Sequence, residues 1–193
     1  MSIGQDVFDS LSPLGKMGLL LTIFVLFYVD AIVFPTLPEL FTIVIFMTNP
    51  DWQWGALILL TIAIAEFLGL ATLYLVVNKV RIPSRVEDAV HRYRRFLFVT
   101  DERVVLINRL APMLPFLGAF VAICDWSFWR AAAYNLLGGM LKYGAILALS
   151  GTFYDVFSGE TATFFSLAMV FLFIGLSVLA SYHRKRRMGI EGR

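Results

Sequence analysis

Long apolar segments alternate with short polar ones along the chain, and the lengths of the apolar segments predict its elements. A helix needs about 20 apolar residues to cross the hydrocarbon core of a bilayer. Four segments meet that requirement, the first with an extension to either side: 15–29, 53–77, 128–149 and 162–180. The pattern therefore predicts four full membrane spans.

Two further apolar segments, 31–48 and 104–123, are each interrupted by a pair of prolines. Proline lacks the amide donor and blocks a continuous helix. A bilayer tolerates such a break only where protein or a water-filled cavity satisfies the freed carbonyls. We therefore predict two re-entrant helical hairpins, each entering and leaving by the same membrane face. The residues that break them are Pro35, Pro38, Pro112 and Pro115.

The two halves of the chain share an order of features. Pro-Thr-Leu-Pro at 35–38 corresponds to Pro-Met-Leu-Pro at 112–115, and each is followed by Asp-Trp and then by a long span. Proline-interrupted segments at matching positions of two inverted halves indicate a transporter binding site near mid-membrane. We expect an all-α integral membrane fold built as an inverted repeat, with repeats at about 31–77 and about 104–149, in a single domain of residues 1–189.

The segment between the repeats, at about 84–98, has helical periodicity, with apolar and basic positions on opposite faces. Ser84 and Glu87 have the spacing of a capping box at its start. The segment therefore predicts an amphipathic helix in the cytoplasmic headgroup layer. The last four residues, Ile-Glu-Gly-Arg at 190–193, match a protease recognition sequence, and we expect them to be an engineered remnant outside the fold.

Composition supports the membrane assignment, since 59% of the residues are apolar and 16% are charged, whereas about 25% are charged in soluble domains. Basic side chains concentrate at 79–103 and beyond 181, while 49–52 and 150–161 carry acids only. Basic loops stay in the cytoplasm, which predicts a multi-pass protein with both termini cytoplasmic. The first span then runs outward and the span 53–77 inward. A compact chain without a signal peptide suits a prokaryotic plasma membrane.

Metal, disulfide and enzyme chemistry find little support in the sequence. One cysteine, Cys124, and two histidines, His91 and His183, are too few for a disulfide framework or a typical zinc site. Motifs of serine hydrolases, zinc proteases and P-loop proteins are missing. We predict no enzyme activity, metal or cofactor. The predicted partners are anionic or phosphate-bearing membrane lipids and not nucleic acid, and a homo-oligomer is compatible with the sequence.

Five ionisable residues fall within predicted membrane segments: Asp30, Glu39, Glu66, Arg109 and Lys142. A charge at the bilayer centre costs at least ~2.5–3.5 kcal/mol, so each is a functional candidate. Glu39 follows Pro38 and is the main predicted proton carrier, with Glu66 and Asp30 as secondary proton or pairing sites. The alternative for Glu39 is a carboxylate that accepts hydrogen bonds from loose amides at a helix start.

Arg109 lies three residues before Pro112 and stays protonated, so it is a candidate clamp for phosphate or carboxylate. The alternative is a structural ion pair of Arg109 with Glu39 or Asp30. A pair between Glu66 and Lys142 is also open, and Lys142 alternatively extends toward the membrane surface. Asn135 precedes Gly138 and Gly139, which indicates close helix packing. The predicted substrate-binding set is Arg109, Lys142 and Asn135.

Three features carry a family resemblance: Glu39 directly after Pro38, Arg109-Leu-Ala-Pro112, and Tyr134-Asn135-Leu-Leu-Gly138. Over about 30–150 the chain resembles the DedA family, also called the VTT or SNARE-associated-Golgi-protein family. The resemblance implies two inverted re-entrant hairpins and the movement of lipids, including polyprenyl phosphates, between leaflets, often with proton coupling. The family pattern has a second arginine where this chain has Pro115, so Arg109, together with Lys142, would have to hold the phosphate.

These observations predict a transporter, a flippase or scramblase, that translocates a phosphate-bearing lipid such as a polyprenyl phosphate or a phospholipid. Protonation of Glu39 would release Arg109 and present the site to the other face. Two alternatives remain open. One is a secondary transporter of a small ion or drug-like solute, and the other is a membrane scaffold that transports nothing.

Overall fold

A computed structural model of the chain describes residues 14–32, 38–80, 87, 90, 101–110, 114, 116–156 and 168. Within these residues there are six helices and no strand, namely α1 Gly15–Ile32, α2 Pro38–Met47, α3 Trp52–Lys79, α4 Val104–Leu110, α5 Leu117–Ile123 and α6 Phe128–Val156. The predicted all-α class is confirmed over this part of the chain. Several predicted features lie outside the described residues: the span 162–180, almost all of the amphipathic helix 84–98, and Pro35, Pro112 and Pro115.

Among the described helices, α1 and α3 are long and apolar enough to cross a membrane. They contain the predicted spans 15–29 and 53–77. The predicted span 128–149 is likewise one continuous helix, because it lies wholly within the 29 residues of α6. Three of the four predicted long segments are therefore unbroken helices.

Local chemistry accounts for where the helices begin. Pro38 is the first residue of α2, a position where a missing amide costs nothing and the fixed φ suits the helix. The Thr42 hydroxyl donates to the Pro38 carbonyl oxygen at 2.8 Å. Asp51 precedes α3 in extended conformation, and its carbonyl accepts the Gly55 amide at 2.9 Å. Phe116, just before α5, has a φ of 52°, in the left-handed region.

The two long helices, α3 and α6, pack antiparallel. Near the start of α3, a Cβ built on Gly55 would lie 3.9 Å from the Leu147 side chain, late in α6. Further along α3, the ring of Phe67 lies 6.0 Å from that of Phe128, the first residue of α6. The start of α3 thus lies beside the later part of α6, and the middle of α3 lies beside the start of α6.

The first helix runs parallel to α3, which contradicts the predicted topology. Lys16 Nζ lies 5.5 Å from the centre of a Trp54 ring, and the Tyr28 and Thr72 hydroxyl oxygens are 3.1 Å apart. The predicted outward first span and inward second span would require these helices to be antiparallel. The prediction was wrong because charge alone fixed the directions, whereas α1 packs on α3 with the starts of the two helices together.

The first proline-broken unit is therefore α1 followed by α2, and not the predicted segment 31–48. The Trp54 indole donates to the Ile45 carbonyl oxygen at 3.1 Å. The last turn of α2 therefore lies beside the first turn of α3, close to the start of α1. What the sequence counted as a separate first span is the first arm of this helix pair. Gly69 allows the contact, since a Cβ there would lie 2.5 Å from the Ala31 Cβ.

The second half repeats this order with shorter arms. Arg130 Nη1 donates to Glu102 Oε1 at 3.2 Å, and Arg109 contacts Asn135, so α4 runs parallel to α6. In each half the first arm packs on its own long helix and the second arm packs on the long helix of the other half: α1 on α3, α4 on α6, α2 on α6 and α5 on α3. This arrangement agrees with the predicted likeness of the two halves.

Packing follows the same division into two clusters. One joins α1, α2, α3 and α6 around Phe27, Ile43, Ile62 and Tyr143. The other joins α4, α5 and the start of α6, with Leu70 of α3. Gly118 of α5 permits the close approach to α3, since a Cβ there would lie 2.7 Å from the Leu70 carbonyl oxygen.

Candidate functional site

The first ion pair of the site joins the middle of α3 to the end of α4. The Glu66 side chain is 1% exposed, and its Oε1 lies 3.1 Å from Nη1 of Arg109. Arg109 is the second-last residue of α4, next to the break between α4 and α5. A buried carboxylate without a partner would be strongly unfavourable, so the guanidinium is what allows Glu66 to be charged there.

Asn135 of α6 completes this pair. Its Oδ1 accepts a hydrogen bond of 2.7 Å from Arg109 Nε, and its Nδ2 donates to Glu66 Oε2 over a longer 3.5 Å. One amide thus contacts both charged groups and fixes the guanidinium orientation. Asn135 itself is fully buried. Besides the predicted substrate-binding role, Asn135 therefore positions the Arg109 guanidinium against Glu66.

Two glycines of α6 make room for the first ion pair. A Cβ on Gly138 would lie 2.8 Å from the Arg109 Cβ, and a Cβ on Gly139 would lie 2.7 Å from Glu66 Oε2. Real Cβ atoms do not approach other atoms so closely. The predicted close packing at Asn135, Gly138 and Gly139 is confirmed, and what packs there is the ion pair.

The second ion pair joins the start of α2 to the middle of α6. Lys142 Nζ lies 2.5 Å from Glu39 Oε1, and the Tyr143 hydroxyl donates to the same oxygen at 3.5 Å. Lys142 Nζ also lies 5.1 Å from the centre of the Tyr143 ring. Glu39 is the second residue of α2, directly after the first proline-containing break.

The two pairs are crossed between the halves. Glu66 lies 14 positions after Trp52, the first residue of α3, and Lys142 lies 14 positions after Phe128, the first residue of α6. These corresponding positions hold opposite charges. Each of them pairs with a residue next to the break in the other half, because each broken helix pair contacts the long helix of the other half.

The predicted pairings were wrong in their partners. Arg109 pairs with Glu66 and not with Glu39 or Asp30, and Lys142 pairs with Glu39 and not with Glu66. The antiparallel packing of α3 and α6 is the reason, since it sets Glu66 against Gly139 and leaves Lys142 to the start of α2. Asp30, on α1, interacts electrostatically with Glu66.

Two residues of the site were not predicted from the sequence. Tyr143 contributes the hydroxyl and ring described above, and an aromatic residue beside an embedded lysine was the available signal. Asn108 Oδ1 accepts a hydrogen bond of 2.6 Å from the Leu114 amide, across the break between α4 and α5. An asparagine just before a proline pair is a suitable acceptor for an amide freed by the break.

The arrangement can take up protons on carboxylates and bind anions on cations. In both pairs, protonation of the acid removes the charge that holds the base. Among the described residues, the partners of the Arg109 guanidinium are Asn135, at Nε, and Glu66, at Nη1. Within the described part of the chain, no group of three His, Cys, Asp or Glu side chains could hold a metal.

Comparison of the chain with family models, with curated proteins and with solved structures gives no match. The resemblance to the DedA family therefore rests on the quoted sequence features alone and stays a prediction.

Proposed function

We propose that the protein is a membrane transporter that moves a phosphate-bearing lipid, a polyprenyl phosphate or a phospholipid, between leaflets with the uptake of protons. The observation that carries this proposal is the pair of crossed ion pairs, which join two similar helical units inside a largely apolar molecule. Buried ion pairs are weak sources of stability, and embedded charges in membrane proteins commonly mark transport pathways.

The surface of α3 supports placement in a membrane. Apolar side chains recur at helical spacing along one exposed face of α3, namely Leu57, Leu60, Ile64, Leu68 and Leu75. In water such a stripe would be costly, and contiguous apolar surface of this kind marks an interaction with lipid or protein. Lipid contact along α3 accounts for it.

The proposed topology keeps the basic segments in the cytoplasm and changes the direction of α1. With 79–103 inside, α3 runs from the outer face to the cytoplasm. Because α1 is parallel to α3 and α2 returns, the α1–α2 pair is a re-entrant hairpin open to the outer face. The α4–α5 pair is its inverted counterpart from the cytoplasm. The C-terminal tail is cytoplasmic, and the start of α1 is at the outer face.

In the proposed mechanism, Arg109 contacts the lipid phosphate once Glu66 has taken up a proton, since a released guanidinium can bind a phosphate through two parallel N–H donors. Glu39 is the principal proton carrier, with Glu66 and Asp30 as further proton sites. Protonation of Glu39 releases Lys142, and protonation of Glu66 releases Arg109. The α2–α6 and α3–α4 contacts then weaken, and the two halves can move against each other.

The test is leaflet exchange of a labelled phosphate-bearing lipid in proteoliposomes, with and without a proton gradient. Wild type is compared with Arg109→Ala and with Arg130→Ala, a matched control from an exposed ion pair. We expect gradient-dependent exchange in wild type and Arg130→Ala, and its loss in Arg109→Ala. If neither polyprenyl nor glycerol phospholipids exchange faster than in empty liposomes, lipid transport is rejected.

A membrane scaffold is the second candidate. It is favoured by the fact that Arg109 and Lys142 each form an ion pair with a glutamate of the same chain. A scaffold would show no exchange in folded wild-type protein. Exchanging the charges of one pair, Glu39→Lys with Lys142→Glu, would leave a structural pair intact and keep the unfolding temperature. For a transporter, the exchanged pair keeps stability and loses transport.

A further inference from the structure

In both ion pairs the cation is the more exposed member. The side chains of Lys142 and Glu39 are 26% and 12% exposed, and those of Arg109 and Glu66 are 16% and 1% exposed. A ligand that reaches either pair therefore meets the positive group first, with the carboxylate behind it. This order suits an anion, and it makes each carboxylate an internal competitor for the cation.

The two cations lie along one face of α6. Arg109 contacts Asn135 and approaches Gly138, while Lys142 follows these residues by seven and four positions. Residues at such spacings share a helix face, and at 1.5 Å per residue they are about 6–10 Å apart along the axis. The Arg109 contact and Lys142 thus lie on the same face of α6.

The charges around these cations oppose an anion unless protons are taken up. The titratable groups that face the site are Asp30 from α1, Glu39 from α2, Glu66 from α3, Arg109 from α4, and Lys142 and Tyr143 from α6; α5 contributes none. When all three carboxylates are ionised, the cluster carries one net negative charge. An added phosphate monoanion is favourable only with compensating protons, since unbalanced buried charge is costly.

Resting on the proposed lipid transport, we propose that Lys142 and Arg109 are two successive binding positions for one phosphate group. Glu39 vacates Lys142 and Glu66 vacates Arg109, each when it takes up a proton. The first position lies beside the break of the α1–α2 pair and the second beside the break of the α4–α5 pair. The headgroup thus passes from one half of the molecule to the other along α6.

The experiment measures the binding of a phosphate-bearing lipid separately from its transport. Full-length protein in detergent is titrated with dihexanoyl phosphatidic acid by calorimetry at neutral pH. We expect Glu39→Gln and Glu66→Gln each to tighten binding by about tenfold, which corresponds to about 1.4 kcal/mol, because the competing carboxylate is gone. The gain from Glu39→Gln disappears when Lys142→Gln is added, and the gain from Glu66→Gln disappears when Arg109→Gln is added. The matched control, Glu102→Gln, leaves binding unchanged.

Several results would overturn the two positions. Unchanged affinity in either carboxylate variant removes its role as a competitor. A gain from Glu39→Gln that persists without Lys142, or that requires only Arg109, leaves a single binding position. The double variant Glu39→Gln with Lys142→Gln leaves no unpaired charge in the second ion pair, so it can be measured even where Lys142→Gln alone does not fold. Its binding should equal that of wild type or be weaker, and tighter binding overturns the Lys142 position.

The outcome is separable from that of the proposed function. Binding with the expected pairwise dependence but no leaflet exchange in liposomes rejects transport and keeps the two positions. Leaflet exchange that depends on Arg109 but is unaffected by Lys142→Gln keeps transport and rejects the first position, at Lys142.

Discussion

At the residue scale, two glycines decide whether Glu66 and Arg109 can meet. Gly138 and Gly139 bring α6 so close to α3 and α4 that the Glu66 carboxylate and the aliphatic stem of Arg109 occupy the space a side chain would fill. The sequence alone indicated tight packing here, because small residues beside an amide commonly mark helix contacts. The identity of the packed groups depended on the antiparallel arrangement of α3 and α6.

Gly139→Ala should destabilise the protein by about 1–3 kcal/mol, because its Cβ would push against the Glu66 carboxylate. Gly144→Ala, on the same helix, is the matched control, since a Cβ there meets nothing within 4 Å. The control should be neutral or stabilising by up to about 1 kcal/mol. Denaturant unfolding in micelles measures both. Equal effects would mean that the close approach at Gly139 is absent.

Glu66→Leu should cost about 3–5 kcal/mol, because it leaves the largely buried Arg109 without its carboxylate. Glu102→Leu removes the partner of Arg130, whose side chain is 74% exposed, and should cost less than about 1 kcal/mol. The same unfolding measurement applies. Partial recovery in Glu66→Leu with Arg109→Met is expected, and a loss in the double variant equal to the sum of the single losses would contradict the pairing.

At the element scale, the Asn108 side chain supplies a hydrogen bond across the break between α4 and α5. Asn108→Ala leaves the Leu114 amide without its acceptor, and should lower stability by about 1–3 kcal/mol. Asn78→Ala, which removes an exposed bond to the Tyr74 carbonyl, is the matched control with a small effect. Thermal unfolding followed by circular dichroism tests both. A similar loss in the two variants would remove the special role of Asn108.

The parallel packing of α1 on α3 can be tested by cross-linking in a Cys124→Ser background. Tyr28→Cys with Thr72→Cys should be joined by a short bifunctional maleimide, because the hydroxyl oxygens of these two side chains lie 3.1 Å apart. Ala31→Cys with Gly55→Cys is the control, which antiparallel helices would favour. A shift on denaturing gels reports the link. Cross-linking of the control pair alone would restore the antiparallel prediction.

The elements show what local pattern determines and what it does not. Continuous helices over 53–77 and 128–149 were predictable, because apolar runs of that length favour helix in apolar surroundings whatever their partners. The five embedded charges were also found, since each stands alone in an apolar segment. Their partners were not, because Glu66 meets Arg109 only through the relative direction of α3, α4 and α6. The spacing of apolar positions does not show in which direction a helix runs after a short break in the chain.

At the scale of the whole molecule, the crossed pairs connect two similar units through their long helices. Opposite charges at corresponding positions, Glu66 and Lys142, mean that neither half can satisfy its own embedded charge. Each half requires the broken helix pair of the other. A molecule built in this way couples the ionisation of one half to the position of the other, which is the property that the proposed transport cycle uses.

The proposed topology makes a prediction that differs from one based on charge alone. In a Cys124→Ser background, a membrane-impermeant maleimide should label Lys16→Cys from outside intact cells. Lys79→Cys should react only in inverted vesicles, since the parallel α1 and α3 place these residues at opposite ends. Both positions are exposed, so buried geometry does not limit the reaction. Labelling of both from the same side would show that α1 and α3 do not lie parallel across the membrane, and with that the re-entrant α1–α2 hairpin would be lost.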